Sequence, residues 1–369
     1  MRKKQHINKF LLLLSWLYGV VVWFRNKLFD WGVLKSEEFP IPVISVGNIT
    51  VGGTGKTPHV EYLIHLLKDH YRIAVLSRGY KRKSKGYLLA NRRVTSWDIG
   101  DEPYQIWKKF PDILVAVDAV RCRGVRNLLD LPKDKRPEII LLDDAYQHRY
   151  IVPSLSIVLT DVNRLVYDDA LLPAGRLREP AWNIHRANIV IVTKCPSKLE
   201  PIDFRVISKH LHLYPYQSLF FTFFGYKNLQ PVFEECASPE ISLKDLNKSE
   251  YSVLLLSGIA NPKQFEAFIC SYVTSLVKME YPDHYEYTAS DLKKIKKEYN
   301  CLSGNKKIII TTEKDAARLV ALNNQLEAEL KISMYYLPIE VIFHLNQSNQ
   351  FKQKIVEHVD SFKRNRILD

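Results

Sequence analysis

The chain has 369 residues, of which 46% are hydrophobic and 25% charged, and its 53 Lys plus Arg outnumber 40 Asp plus Glu to give a formal charge of +13. This length allows a large core and predicts two domains, and the composition excludes wholesale disorder. The basic excess fits nucleic acid, anionic lipid or a phosphorylated substrate without choosing among them, while five scattered cysteines, odd in number and without metal-ligand spacing, predict a reducing compartment without structural disulfides.

Residues 1–9 carry Arg2, Lys3, Lys4 and Lys9, and the uncharged run 10–24 follows, closed at once by Arg25 and Lys27. The run is shorter than the roughly 20 residues of an untilted membrane span. Trp16, Tyr18, Trp23 and Phe24 are bulky where signal cleavage needs small residues. Basic flanks with aromatic residues along the run predict a helix lying in the membrane face. A short tilted span and a buried domain helix remain alternatives, because apolar residues surround nearly the whole helix.

Pro42 to Asn48 reads as a buried β-branched strand, followed by Ile49-Thr50-Val51-Gly52-Gly53-Thr54-Gly55-Lys56-Thr57 and a helix over 58–69 with Val60, Leu63, Ile64 and Leu67 on one face. Strand, glycine-rich loop and helix in this order are the context of a phosphate-binding loop. Glycines let successive N–H groups turn inward around anionic oxygens, and the helix N-terminus adds partial positive charge. Lys56 is assigned to the β- and γ-phosphates and the Thr57 hydroxyl to Mg2+. Thr50 stands where the strict phosphate-loop pattern has glycine.

A second strand, 71–77, leads into Arg78-Gly79-Tyr80 and the basic segment 81–85, which reads as a solvated loop or, beside a nucleotide site, as a contact for anionic lipid or substrate phosphate; no aromatic interleaving or recognition-helix pattern supports a nucleic-acid surface. Asp101 reads as an N-cap before Pro103 and a helix through Ile106, Trp107 and Phe110. A third strand, 113–117, ends in Asp118, with Arg121, Arg123 and Arg126 close behind. Glu138 to Asp144 is an apolar strand ending in Asp143 and Asp144, the pattern of a strand whose carboxylates hold Mg2+ or its water shell opposite Thr57. Consecutive strand residues point to opposite faces, so both carboxylates share one task only if the strand has already ended.

Two further parallel strands are predicted over 156–161 and 187–194. The loop between them carries Arg176, Arg178 and Glu179, candidates for phosphoryl charge and the metal shell. Thr193-Lys194 resembles the base-contacting end of some nucleotide sites. From about residue 205 the texture becomes aromatic, and strands near 251–257 and 307–312 suggest a smaller α/β domain, with substrate bound in the cleft between the halves. The expected organisation is a membrane-associated helix and linker over 1–40, a nucleotide-binding domain with a P-loop NTPase-like parallel sheet and helices on both faces over 41–205, a smaller α/β domain over 206–345, and a helical tail over 346–369.

Taken together these stations resemble the tetraacyldisaccharide 4'-kinases, also called lipid A 4'-kinases. The resemblance rests on Leu14-Ser15-Trp16-Leu17-Tyr18-Gly19, Ser45-Val46-Gly47-Asn48, Gly52-Gly53-Thr54-Gly55-Lys56-Thr57-Pro58, Ser77-Arg78-Gly79-Tyr80, Asp101-Glu102-Pro103, Leu142-Asp143-Asp144-Ala145-Tyr146-Gln147-His148, Leu172-Pro173-Ala174-Gly175-Arg176-Leu177-Arg178-Glu179, Pro282-Asp283-His284 and Thr312-Glu313-Lys314-Asp315. The unusual Thr50 is itself a family trait. Ala145 and Tyr285 depart from the family, which often has glycine and a second histidine there.

The resemblance implies transfer of the ATP γ-phosphoryl group to the 4'-hydroxyl of an acylated glucosamine disaccharide 1-phosphate. It implies work at the cytoplasmic face of the inner membrane of a Gram-negative bacterium, in contact with membrane lipid and without an obligate protein partner. Asp101 is then the general base with His284, and Asp283 orients that histidine. Lys56, Arg178 and Arg78 manage phosphate charge, and Thr57, Asp143, Asp144 and Glu179 divide the Mg2+ shell. ATP is held by Asn48, Thr50, Val51, Gly52, Gly53, Thr54, Gly55, Lys56, Thr57 and Pro58. A membrane-associated ATPase or GTPase switch shares the loop and the Asp143 strand but needs no acyl-lipid platform. A non-enzymatic nucleotide-binding module tolerates loss of Asp101 and His284.

Overall fold

The computed structural model describes residues 9–236, 238–248, 251–259, 262–283 and 285–365. In chain order the strands are β1 (Val43–Asn48), β2 (Ile73–Ser77), β3 (Leu88–Leu89), β4 (Leu114–Val117), β5 (Ile139–Asp143), β6 (Leu155–Asp161) and β7 (Ile189–Thr193). They continue as β8 (Ser218–Tyr226), β9 (Gln230–Pro231), β10 (Ser252–Ser257), β11 (Ser275–Glu280), β12 (Lys307–Thr312), β13 (Met334–Leu337) and β14 (Ile339–Phe343). The chain is an α/β protein of two compact units. The first takes Met1–Arg93, Ile106–Phe224 and Val341–Asp369, the second Val94–Gln105 and Gly225–Glu340.

The sheet of the first unit runs β14-β8-β7-β6-β1-β5-β2-β4-β3. The pairs from β8 through β4 are parallel, and the short β3 pairs antiparallel with β4 at the edge. Strands buried on both faces account for the near-continuous apolar runs, since helices cover a parallel sheet on each side. Val46 of β1 is level with Asp143 of β5, which brings the carboxyl ends of these two central strands together.

The domain boundary expected near residue 205 is displaced. The aromatic residues after it complete the first core: Phe220 packs edge-on against Phe343 and Phe351, both 6% exposed or less. The expected C-terminal tail is likewise core, because the helix Ser348–Asn365 buries Phe351, Ile355 and Val359 beside Leu63, Ile64 and Leu67. In the other direction, 94–105 leaves the first unit, and the helix Asp101–Lys109 begins in the second unit and continues in the first. The second unit has the sheet β11-β10-β12-β13-β9, parallel except for the antiparallel edge β9.

The hydrophobic run near the N-terminus forms the helix Leu12–Asp30, longer than the run itself. Ser15, Asn26 and Phe29 are its buried positions, while Leu13, Trp16, Leu17, Val21, Trp23 and Phe24 are exposed. The helix is therefore not a core helix: it turns Ser15, Asn26 and Phe29 to the protein and most of its other large apolar residues outward. No described helix is long and apolar enough to cross a membrane.

Candidate active site

The turn after β1 owes its path to backbone freedom that few residues have. Gly55 sits at φ +86°, directly before the helix Lys56–Leu67, and a Cβ there would lie 2.6 Å from the ring of Phe224. The helix starts two residues earlier than expected, so Lys56 and Thr57 occupy its first turn, where Pro58 costs no hydrogen bond. Thr57 is buried.

Side chains from three segments hold the loop's interior. Asn48 donates to the Thr54 hydroxyl at 2.8 Å, Thr193 donates to the Thr54 carbonyl at 2.8 Å, and His59 bonds the Gly55 carbonyl through Nδ1 at 2.7 Å. Lys194 reaches the Gly53 carbonyl and pairs with Asp161 at 2.8 Å. The Thr193-Lys194 pair thus braces the loop.

Lys56 lies 3.6 Å from Asp144. Asp144 also meets Arg178 at 3.2 Å, and the same guanidinium donates to the Asn48 side chain at 2.7 Å, the Thr50 carbonyl at 3.0 Å and the Gln147 side chain at 3.2 Å. Gln147 in turn donates to the Asn48 carbonyl at 2.7 Å. Burial opposes ionisation of Asp144, but Lys56 and Arg178 outweigh it and hold the carboxyl below its ordinary range. The two adjacent aspartates are resolved by backbone geometry: β5 ends at Asp143, and Asp144 follows at φ +48°. Asp143 is buried, with Ser77 donating to it at 3.4 Å. The strand having ended, the two carboxylates are not bound to opposite faces.

Arg121 is a site residue that the sequence left among ordinary arginines. It is buried, donates to the Asp118 carbonyl at 2.6 Å and feels both Asp143 and Asp144. Burial pulls it down to about 10, which still leaves it cationic at neutral pH. His148 is pushed to about 4 by burial and by Arg121, Arg25 and Arg78, so it is neutral. The sequence signal for Arg121 was position alone, four residues beyond the end of the parallel strand β4.

Glu179 has different partners from those expected. It is buried, accepts from Asn183 at 2.7 Å and pairs with Arg186, whose guanidinium also lies 4.7 Å over the Tyr146 ring. These carboxylate contacts, all made by one oxygen, anchor the segment after Arg178; the other oxygen of Glu179 is buried without a hydrogen-bond partner among the described residues. Among the described residues no cluster of three His, Cys, Asp or Glu side chains forms a metal cage. The oxygen donors Thr57, Asp143 and Asp144 fit Mg2+, which takes one or two carboxylates and otherwise water and substrate phosphates.

In the second unit Asp101 is corrected from cap to first-turn residue. The first helical bond, Tyr104 N–H to the Gly100 carbonyl at 3.0 Å, makes Gly100 the cap. The Asp101 carboxylate accepts from Arg318 at 2.9 Å, and Arg318 also donates to Asp315 at 2.9 Å and to the Gly258 carbonyl at 3.1 Å. Asp315 takes the Gly258 N–H at 2.9 Å and the Thr312 hydroxyl at 2.7 Å. Lys314 donates to Glu102 at 2.6 Å; burial works against its charge, but Glu102 and Asp283 hold it above its ordinary value. The Thr312-Glu313-Lys314-Asp315 run is thus the hub that fixes Asp101 and Glu102. His284 lies outside the described residues.

The glycine loop with Lys56, Asp144 and Arg178, and the separately held Asp101, are features by which relatives can be compared. The family model described as tetraacyldisaccharide-1-P 4'-kinase matches residues 7–360. The tetraacyldisaccharide 4'-kinase of Parabacteroides distasonis is 54% identical over 354 residues, covering 96% of this chain and 95% of that protein. That of Bacteroides thetaiotaomicron is 50% identical over 365 residues, covering 97% and 95%. Among solved structures, the crystal structure of "apo" form LpxK from Aquifex aeolicus in complex with ATP aligns with a TM-score of 0.72 at 32% identity, covering 95% of this chain and 98% of that one. A match running through both units at this identity leaves one assignment: the chain belongs to the tetraacyldisaccharide-1-P 4'-kinase family.

Proposed function

We infer that this chain is an ATP-dependent kinase that transfers the γ-phosphoryl group of ATP to the 4'-hydroxyl of tetraacyldisaccharide 1-phosphate, a step of lipid A biosynthesis. The observation that carries the reading is family membership over residues 7–360 joined to the Lys56–Asp144–Arg178 constellation beside the glycine loop.

In this reading the turn 48–58 is a variant P-loop, and the first unit is a P-loop NTPase-like nucleotide-binding unit. Backbone N–H groups of the loop and the start of the helix Lys56–Leu67 receive the phosphates. Lys56 exchanges its contact with Asp144 for the β- and γ-phosphates, and Arg178 neutralises charge on the moving group. Thr57, Asp143, Asp144 and Glu179 would hold Mg2+, which would supply positive charge to neutralise the phosphates. Asp101, with His284 oriented by Asp283, takes the proton of the 4'-hydroxyl as its oxygen bonds to the γ-phosphorus and the bond to ADP breaks. Arg318 fixes the Asp101 carboxylate.

The outward apolar side of the helix Leu12–Asp30 supports a peripheral position at the cytoplasmic face of the inner membrane, where the acyl chains of the acceptor stay in the bilayer. Nucleic acid and an obligate protein partner have no part in this reading. Purified protein, labelled ATP and a panel of phospholipids and acylated disaccharides test it. Label should enter only the disaccharide 1-phosphate, and Lys56→Ala should lose transfer with its fold intact. Brisk ATP hydrolysis without acceptor would favour a nucleotide switch, and near-normal transfer by Lys56→Ala would overturn the nucleotide assignment.

A further inference from the structure

The helix Leu12–Asp30 does more than carry an apolar surface, because its inner side grips the segments that present Arg178 and Gln147. The Tyr18 hydroxyl donates to the backbone carbonyl of Arg178 at 2.8 Å. On the other side of that residue, the Arg178 N–H donates to the Ile49 carbonyl at 2.7 Å. The Arg178 peptide is therefore pinned at both ends, between the glycine loop and the helix. Ser15 strengthens the seat by donating to the Leu171 carbonyl at 2.9 Å and accepting from the Ala174 N–H at 2.9 Å. Gly19 allows the close approach, since a Cβ there would lie 2.8 Å from the Leu171 side chain.

A second grip lies one turn and more along the same helix. Arg25 donates to the Gln147 carbonyl at 3.2 Å. The Gln147 side chain is the other partner of the Arg178 guanidinium and also holds the Asn48 carbonyl. Both grips end on the backbone of residues whose side chains meet at Asn48, and the Arg178 guanidinium also meets Asp144. A hydrophobic anchor has no need of either.

We propose that Tyr18 and Arg25 are positioning residues for phosphoryl transfer, acting through Arg178 and Gln147, so that the seating of this helix sets the nucleotide site. The proposal rests on the reading of Arg178 as the residue that neutralises phosphoryl charge. Misplacing a guanidinium that meets the transition state lowers kcat more than it weakens ATP binding.

Full-length protein carrying Tyr18→Phe, Arg178→Lys or both is assayed in one detergent with saturating acceptor, alongside thermal stability and binding to phosphatidylglycerol vesicles. Tyr18→Phe should lower kcat by about threefold to tenfold, the worth of one hydrogen bond. Its ATP affinity, melting temperature and vesicle binding should stay at the wild-type level. The double variant should be no slower than Arg178→Lys alone. Arg25→Met should lower kcat in the same way and Arg25→Lys, which keeps a donor, should restore most of it; this pair decides the matter if Tyr18→Phe does not fold. Wild-type kcat in Tyr18→Phe beside an impaired Arg178→Lys, or fully additive losses, overturns the positioning role alone. Wild-type kcat in Arg178→Lys overturns the charge-neutralising reading and this proposal with it.

Discussion

His59 offers a direct measurement of how tightly the glycine loop is held. It sits in the first turn-and-a-half of the loop's helix, 3% exposed, with Nδ1 on the Gly55 carbonyl at 2.7 Å and Nε2 on the Thr222 hydroxyl at 3.1 Å. Burial pulls its pKa from 6.5 to about 4, against a smaller opposing effect of the Gly55 bond. The imidazole is thus neutral when folded and protonates more readily when unfolded. Its contribution to stability is whole above pH 6.5, falls as the pH drops, and is gone below about 4. A displacement of that size corresponds to about 3 kcal/mol as an upper figure. His59→Asn keeps a donor for the Gly55 carbonyl but cannot titrate. It should be less stable than the wild type at pH 7.5 by about 1–2 kcal/mol, for lost packing. By pH 4 the order should reverse, because only the wild type carries the cost of a buried charge. Urea unfolding followed by circular dichroism at several pH values gives both curves, and carboxylates and His148 cancel in their difference. Parallel curves between pH 6.5 and 4 would refute the buried neutral imidazole.

Two other expectations are separable from that one. Asp101→Asn and His284→Ala should each lower kcat about a hundredfold or more with little change in ATP affinity, and the double variant should be little worse than the poorer single one; steady-state kinetics with additive losses would dissolve the dyad. Trp16→Glu with Val21→Glu, both at outward positions, should weaken vesicle binding by tenfold or more and shift the melting temperature little, whereas a large loss of stability would show that these side chains pack against protein.

The phosphate-loop stretch was legible because strand, glycine turn and helix are local signals, and the same holds for the strand ending at Asp143. What the sequence hid is long-range. Arg178 lies 130 residues from its partner Asn48, and nothing local marks it as the point where four segments meet. Nor does anything local to Glu179 mark Arg186, seven residues on, as its ion-pair partner. Asp101, two residues before a proline, has the look of a cap, and the distant Arg318 reveals why a carboxylate stands there. The aromatic stretch after residue 214 was misassigned for a similar reason: composition signals that a strand is buried, not which core buries it.

The interleaving of the first unit has a consequence for how the protein is made. Ile44, Leu63 and Val75 share one core with Phe351, Ile355 and Val359, so the central strands that present the glycine loop are completed by a helix separated from them by most of the sequence. During synthesis the early strands and the helix Lys56–Leu67 emerge with part of that core uncovered for the whole time the intervening segments are translated. Contacts of such separation slow folding, and an unfinished parallel sheet exposes edges that invite aggregation. Premature release of the chain before residue 348 would therefore yield no slow or partial kinase but a substrate for chaperones and proteases.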